Sequence, residues 1–164
     1  MFNKLHYDAK FVQLLDPATN MAVAVDSDDK NFYVRDADRV GILIQGLAAS
    51  VDKIHTITVA QVNATGTGDV AIPFDIAKIV TTTGVYGTWT AATTTGLVIE
   101  AATLSDGEHA YLIEVDASEF ITNDDFVTPL DYLSVKIATS GVDGGTFTGS
   151  VMGILYGLKY QATA

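Results

Sequence analysis

The chain has 164 residues, a mass of 17.4 kDa and a formal net charge of −11. Hydrophobic residues make up 48% and charged residues 18%, a balance that builds a packed core and excludes a disordered chain. There is no cysteine and there are only 3 histidines, so disulfides, thiolate metal centres and cysteine nucleophiles are excluded.

After residue 50 the only basic residues are Lys53, Lys78, Lys136 and Lys159. A nucleic-acid groove needs clustered Lys and Arg to neutralise phosphates, and an anionic membrane repels an acidic protein, so neither is an expected partner. The one basic cluster, Lys30, Arg35 and Arg39, is interleaved with Asp28, Asp29, Asp36 and Asp38 and is expected to pair locally. The start, Met1 to Asp8, lacks the apolar stretch of a secretory signal, and no apolar run is long enough for a helical membrane span. Synthesis in the cytoplasm is the expectation. A single β-sandwich domain is expected over residues 1–164, with residues 1–20 as an N-terminal arm.

The elements come as short runs. Met21 to Val25 is apolar and ends in the turn Asp26 to Asp29; Asn31 to Arg35 alternates around Phe32 and Val34. Val40 to Gln45 places Ile42 and Ile44 on one face. Lys53 to Val62 is the clearest strand, with His55, Ile57, Val59 and Gln61 on one side and Ile54, Thr56, Thr58 and Ala60 on the other. Asn63 to Asp69 is a loop. Val70 to Thr81 carries Ile72, Phe74, Ile76 and Lys78 at period two, with Pro73 marking an edge. Gly84 to Trp89 and Leu97 to Ala101 are short strands, separated by Thr93-Thr94-Thr95-Gly96, a strand end or exposed loop; Thr81-Thr82-Thr83-Gly84 reads the same way.

After the turn Ser105 to Glu108, His109 to Asp116 sets Tyr111, Ile113 and Val115 opposite Leu112 and Glu114. Ala117 to Asp125 holds one helical turn capped by Asp116 or Ser118. Tyr132 to Ala138 turns Leu133, Val135 and Ile137 inward, and Thr148 to Tyr160 closes the chain. Gly149, Gly153 and Gly157 are spaced as in a packed helix, but the β-formers around them specify a strand in which glycine admits a close neighbour. This last strand is expected inside a sheet, paired with an early one. Roughly eight to ten short antiparallel strands with turns every 8–12 residues specify an all-β, jelly-roll-like sandwich.

Catalytic signals are sparse. Glu100, Glu108, Glu114 and Glu119 form no recognisable acid/base pair, although Glu114 alternates with apolar residues and could turn inward beside Tyr111 or Tyr132. His6, His55 and His109 lack metal-ligand spacing, and Ser27, Ser105 and Ser118 lack a nucleophile context. Asp26 to Lys30 and Asn123 to Asp125 are acidic turns without the glycine and glutamate of a calcium loop. Asn63-Ala64-Thr65 matches a glycosylation triplet by accident, and Gly66-Thr67-Gly68 is no phosphate loop. No cofactor, metal site or enzyme activity is expected. The aromatic residues Tyr86, Trp89 and Tyr111 remain as candidate interface or ligand contacts, because an exposed aromatic stacks on a sugar or anchors an interface.

Two stretches carry a resemblance. The first is Asp36-Ala37-Asp38-Arg39-Val40-Gly41-Ile42-Leu43-Ile44 followed by Ile54 to Gly68. Its end, Gln61-Val62-Asn63-Ala64-Thr65-Gly66-Thr67-Gly68, resembles a strand-to-loop passage Gln-x-x-x-Ala-x-Gly-x-Gly and is one residue shorter between Gln and Ala. The second is Tyr132 to Ala138 with the closing strand Gly149 to Tyr160. Together they resemble small structural proteins of tailed bacteriophages. The resemblance implies a non-enzymatic β-sandwich on the capsid exterior of a virion, a decoration or other head-associated protein. It implies the major capsid protein or other virion proteins as partners, and a homo-oligomer such as a trimer. A head-completion or tail role is a further implication. Two other classes compete. A carbohydrate-binding module requires a concave face bearing Tyr86, Trp89 or Tyr111 with acidic or amide partners. A hydrolase requires two carboxylates or a triad in one cleft.

Overall fold

The computed structural model describes residues 9–20, 25–26, 32–35, 37–45, 54–80, 85–100, 109–120, 130–140 and 148–156. Within them the strands are β1 (Ala9–Asn20), β2 (Val25–Asp26), β3 (Phe32–Tyr33), β4 (Arg39–Gln45), β5 (Ile54–Val62), β6 (Val70–Ile72) and β7 (Phe74–Val80). They continue with β8 (Val85–Tyr86), β9 (Thr90–Ala92), β10 (Leu97–Glu100), β11 (His109–Asp116), β12 (Tyr132–Ser140) and β13 (Thr148–Tyr156). The excess over the expected number comes from the division of the Val70 to Thr81 run into β6 and β7, from the three-residue β9, and from β1, whose sequence carries no clean alternation. Of the proposed arm, residues 1–8 lie outside the described residues, and Ala9–Asn20 is a strand paired with β13. The single helical turn is Ala117–Glu119, with Asp116 at its N-cap accepting from the Ser118 N–H at 2.9 Å.

All pairings are antiparallel and form two sheets. The seven-stranded sheet runs β1-β13-β4-β11-β7-β8, with β9 also on β7. The six-stranded sheet runs β10-β5-β12-β2, with β3 also on β12 and β6 on β5. This is an all-β sandwich-like arrangement consistent with jelly-roll topology. The closing strand sits between β1 and β4, inside a sheet and beside early strands, as expected.

Alternation decides what is buried. Ile42, Ile44, Ile113, Val115 and Val151 from one sheet meet Ile57, Val59, Leu133, Val135 and Ile137 from the other in one apolar cluster. Full burial of each such side chain contributes roughly 1.5–3 kcal/mol. Pro73 divides the period-two run Ile72, Phe74, Ile76: β6 pairs with β5, and β7 pairs with β11 in the other sheet. Proline brings no N–H to a ladder, so one pairing stops there and the chain changes sheet.

The inner face of β5 also carries two polar residues, each satisfied. His55 Nδ1 lies 3.0 Å from Thr139 Oγ1, and Gln61 Nε2 donates to the Leu130 carbonyl at 2.9 Å. Gly153 faces inward from β13, and the Phe32 ring rests on it: a Cβ there would lie 3.1 Å from Phe32 Cζ. The close neighbour expected from the glycine spacing is this ring.

Replacing Gly153 by Val forces a branched side chain into the space held by Phe32. Urea denaturation should show a loss of about 1–3 kcal/mol, the cost of overpacking a core; an unchanged midpoint would show that the ring is not fixed there. Burial pushes the Tyr111 phenol up from 10.0 to about 12. The folded state therefore favours the neutral phenol. That contribution is complete below about pH 10 and is lost as pH rises through about 12, for a total of roughly 2–3 kcal/mol. A phenolate absorbance titration followed alongside circular dichroism should show one tyrosine ionising only with the onset of alkaline unfolding.

Candidate functional site

The same alternation that fills the core writes the outer face of the seven-stranded sheet. Cross-strand partners there are Met152, Leu43 and Leu112 in one row, Phe11, Ile154, Gly41 and Glu114 in the next, and Tyr156, Arg39 and Asp116 in a third. Phe11, Met152, Val85, Tyr86 and Trp89 are among the large hydrophobic side chains left exposed.

Tyr86 reaches this face because it pairs with outward-facing Ile79 of β7. Beyond it the edge breaks step. Gly87 N–H donates to the Lys78 carbonyl at 2.7 Å, and pairing resumes at Thr90 opposite Ile76. Thr88 and Trp89 therefore stand against the single residue Ala77, a bulge that re-aims Trp89. At the other side, Tyr156 lies over Gly41, where a Cβ would fall 3.0 Å from Tyr156 Cε2. A Cβ at position 41 would make that ring give way by a few tenths of an ångström. The end of the groove is tied down by backbone: Asp38 N–H donates to the Tyr156 carbonyl, and Ala117 N–H donates to the Asp38 carbonyl, each at 3.1 Å.

The result is an open groove of about 820 Å³ lined by Tyr86, Trp89 and Tyr156, with Leu112 and the charged residues Asp38, Arg39, Glu114 and Asp116. Arg39 and Glu114 approach to 3.8 Å, both partly exposed. Such a pair contributes at most about 1 kcal/mol. The Ser118 N–H and hydroxyl, with Arg39 adding a smaller effect, hold the Asp116 carboxyl below its ordinary value. Burial, then the negative charge of Glu114 and the neighbouring Tyr86, pushes the Tyr156 phenol up.

Of the three aromatic candidates, the structure brings Tyr86 and Trp89 together and places Tyr111 elsewhere. Tyr111 shares the inner face with Ile113 and is only 5% exposed, so it packs in the core rather than offering a contact surface. Tyr156 takes the third aromatic place. Its signal was a glycine in mid-strand, Gly41 in β4, far from β13 in sequence, and only the register links them. Glu114 turns outward, not inward beside Tyr111, because it occupies the parity of Leu112. Arg35 meets Asp131 at 3.5 Å and Arg39 meets Glu114 at 3.8 Å; Lys30, Asp28, Asp29 and Asp36, the other members of the expected local pairing, lie outside the described residues. Among the described residues no three His, Asp or Glu side chains come together in a way that could hold a metal ion. His6, the His109 side chain and the acidic turns 27–30 and 123–125 lie outside the described residues.

No protein-family model matches the chain, and no curated protein sequence does. Among solved structures, the chain is similar to infectious bursal disease virus Gx strain, at 10% identity and a TM-score of 0.24 over 90% of this chain and 39% of that one. It is also similar to the VP2 subviral particle of infectious bursal disease virus, at 8% identity and a TM-score of 0.18 over 90% of this chain and 40% of that one. The chain thus spans well under half the length of either.

Proposed function

We propose that this chain is a non-enzymatic structural protein of a virion, a decoration or stabilising protein that seats the outer face of its seven-stranded sheet on the outside of a phage head. The observation that carries the reading is the apolar swath across that face. Phe11 is 50% exposed, Met152 37%, Tyr86 54% and Trp89 41%, with Leu43 and Leu112 between them. A protein of net charge −11 that leaves such a surface open presents an interaction face, because burying it against a partner returns roughly 25 cal/mol per Å². The sequence resemblance to tailed-phage structural proteins supports the choice of partner. The sparse catalytic signals support a binding role over a hydrolase.

Light scattering and co-sedimentation with undecorated phage capsid shells test this directly. The protein should sediment with shells and saturate at a defined, high copy number. Phe11→Ser combined with Met152→Lys, both at exposed positions, should weaken that binding about tenfold or more while leaving the melting temperature near that of the parent. A protein that ignores the shells overturns the reading. Saturation at a handful of copies per particle would replace decoration with a head-completion role.

A further inference from the structure

We infer that the groove bounded by Tyr86, Trp89 and Tyr156 is the socket for a cationic side chain, an arginine foremost, carried by the polypeptide on which this protein docks. The inference rests on the docking reading above and names the chemistry of the partner at one point of that face.

Three features of the lining converge on a cation. The first is charge. Asp38, Glu114 and Asp116 line the groove, with Arg39 the sole basic lining residue among the described residues. An anion would be repelled there, whereas a second guanidinium would offset part of the remaining negative charge. The local field is also visible in Tyr156, whose phenol is pushed up in part by Glu114.

The second feature is the hydrogen-bonding inventory. Among the described residues the lining supplies three carboxylates, which only accept, beside the Arg39 guanidinium, the Tyr86 and Tyr156 hydroxyls and the Trp89 indole N–H. A guanidinium offers five N–H donors and no acceptor, the complement of the three carboxylates. The third feature is the aromatic wall. Tyr86 and Trp89 are half exposed at the edge, and the Tyr156 ring lies against Gly41. Aromatic faces attract cations, and a planar guanidinium stacks on them as well. Among the described residues the carboxylates do not converge on a point that would hold a metal ion, so the groove suits an extended organic cation.

Trp89 is the only tryptophan of the chain, so its emission reports on the groove. The probe is a short glycine–serine peptide bearing two arginines, compared with the same peptide bearing citrulline and with neutral oligosaccharides such as maltohexaose. The arginine peptide should change Trp89 emission saturably and bind less tightly as salt is raised. Citrulline should weaken binding about fivefold or more. Glu114→Gln and Asp116→Asn, each checked for an unchanged circular dichroism spectrum, should do the same, whereas Asp69→Asn, in the loop between β5 and β6, should not. Saturable binding of maltohexaose without the arginine peptide overturns the proposal and makes the groove a sugar site. Equal binding of arginine and citrulline peptides, or binding of neither, also overturns it. The shell experiment separates the two readings. If Glu114→Gln and Asp116→Asn still sediment with shells as the parent does, docking stands and the cationic socket falls. If Phe11→Ser with Met152→Lys also leaves sedimentation unchanged, the docking face itself is misassigned.

Discussion

The strict two-residue period of a strand is the constraint on which the rest of this molecule depends. Once Ile42, Ile44, Ile113 and Val115 are committed to the space between the sheets, Gly41, Leu43, Leu112 and Glu114 have no choice but the outer surface. The groove is therefore not an addition to the fold. It is the complement of the core, written in the alternate letters of the same strands. A one-residue slip of β11 against β4 would carry Glu114 into an apolar interior, where an ionised carboxylate costs several kcal/mol without a partner. The register that keeps Glu114 beside Arg39 is the register that keeps Ile113 against the other sheet.

Two interruptions of that regular pattern then shape the surface. At Pro73 the chain leaves one sheet for the other, which allows a continuous hydrophobic period to serve both inner faces. At Gly87 to Trp89 the edge partner of β7 takes an extra residue, and the displaced side chain is the sole tryptophan. Without the bulge the segment would keep a single alternation from Val85 to Ala92. Trp89, three residues after Tyr86, would then be thrown to the opposite side of the sheet. The inserted residue restores it to the Tyr86 side, so both aromatics line one groove.

The strands with clean alternation were legible in the sequence because burial imposes it. The faces of Ile54–Val62 follow the expected parity down to the polar His55 and Gln61, and the glycine-spaced closing segment is a strand as its β-formers required. What the sequence left out was everything set by register between distant segments. Tyr111 and Tyr86 look alike as isolated aromatics, and only the pairing of β11 with β4 assigns Tyr111 to the core. Tyr156 joins the site because Arg39 and Gly41 lie beside the end of β13, a relation spanning more than a hundred residues. The edge strand Ala9–Asn20 escaped for a different reason. Its pairing carries register shifts between Gln13 and Thr19, so its inward residues, Leu14 among them, keep no simple period.

An acidic protein with an open apolar face also has sheet edges at which uncontrolled pairing can begin. Long flat strand edges are the usual route to such association. Here both ends of the seven-stranded sheet are broken: β1 by its register shifts and Pro17, the far end by the division of β8 from β9. On the proposed docking reading, the sheet thus offers a partner its face rather than its edges. Recognition must then come from side chains, since little backbone is left for a partner to extend. Apolar contact supplies adhesion but no direction. The Phe11–Met152–Leu43–Leu112 swath can hold a partner without fixing its orientation. Charged groups at defined positions do fix it. Of the charges on this face, those gathered between Tyr86, Trp89 and Tyr156 are also framed by aromatic rings and anchored by backbone hydrogen bonds at Asp38. On that reading adhesion and orientation fall to neighbouring parts of one sheet, both set by the residues that the core leaves pointing outward.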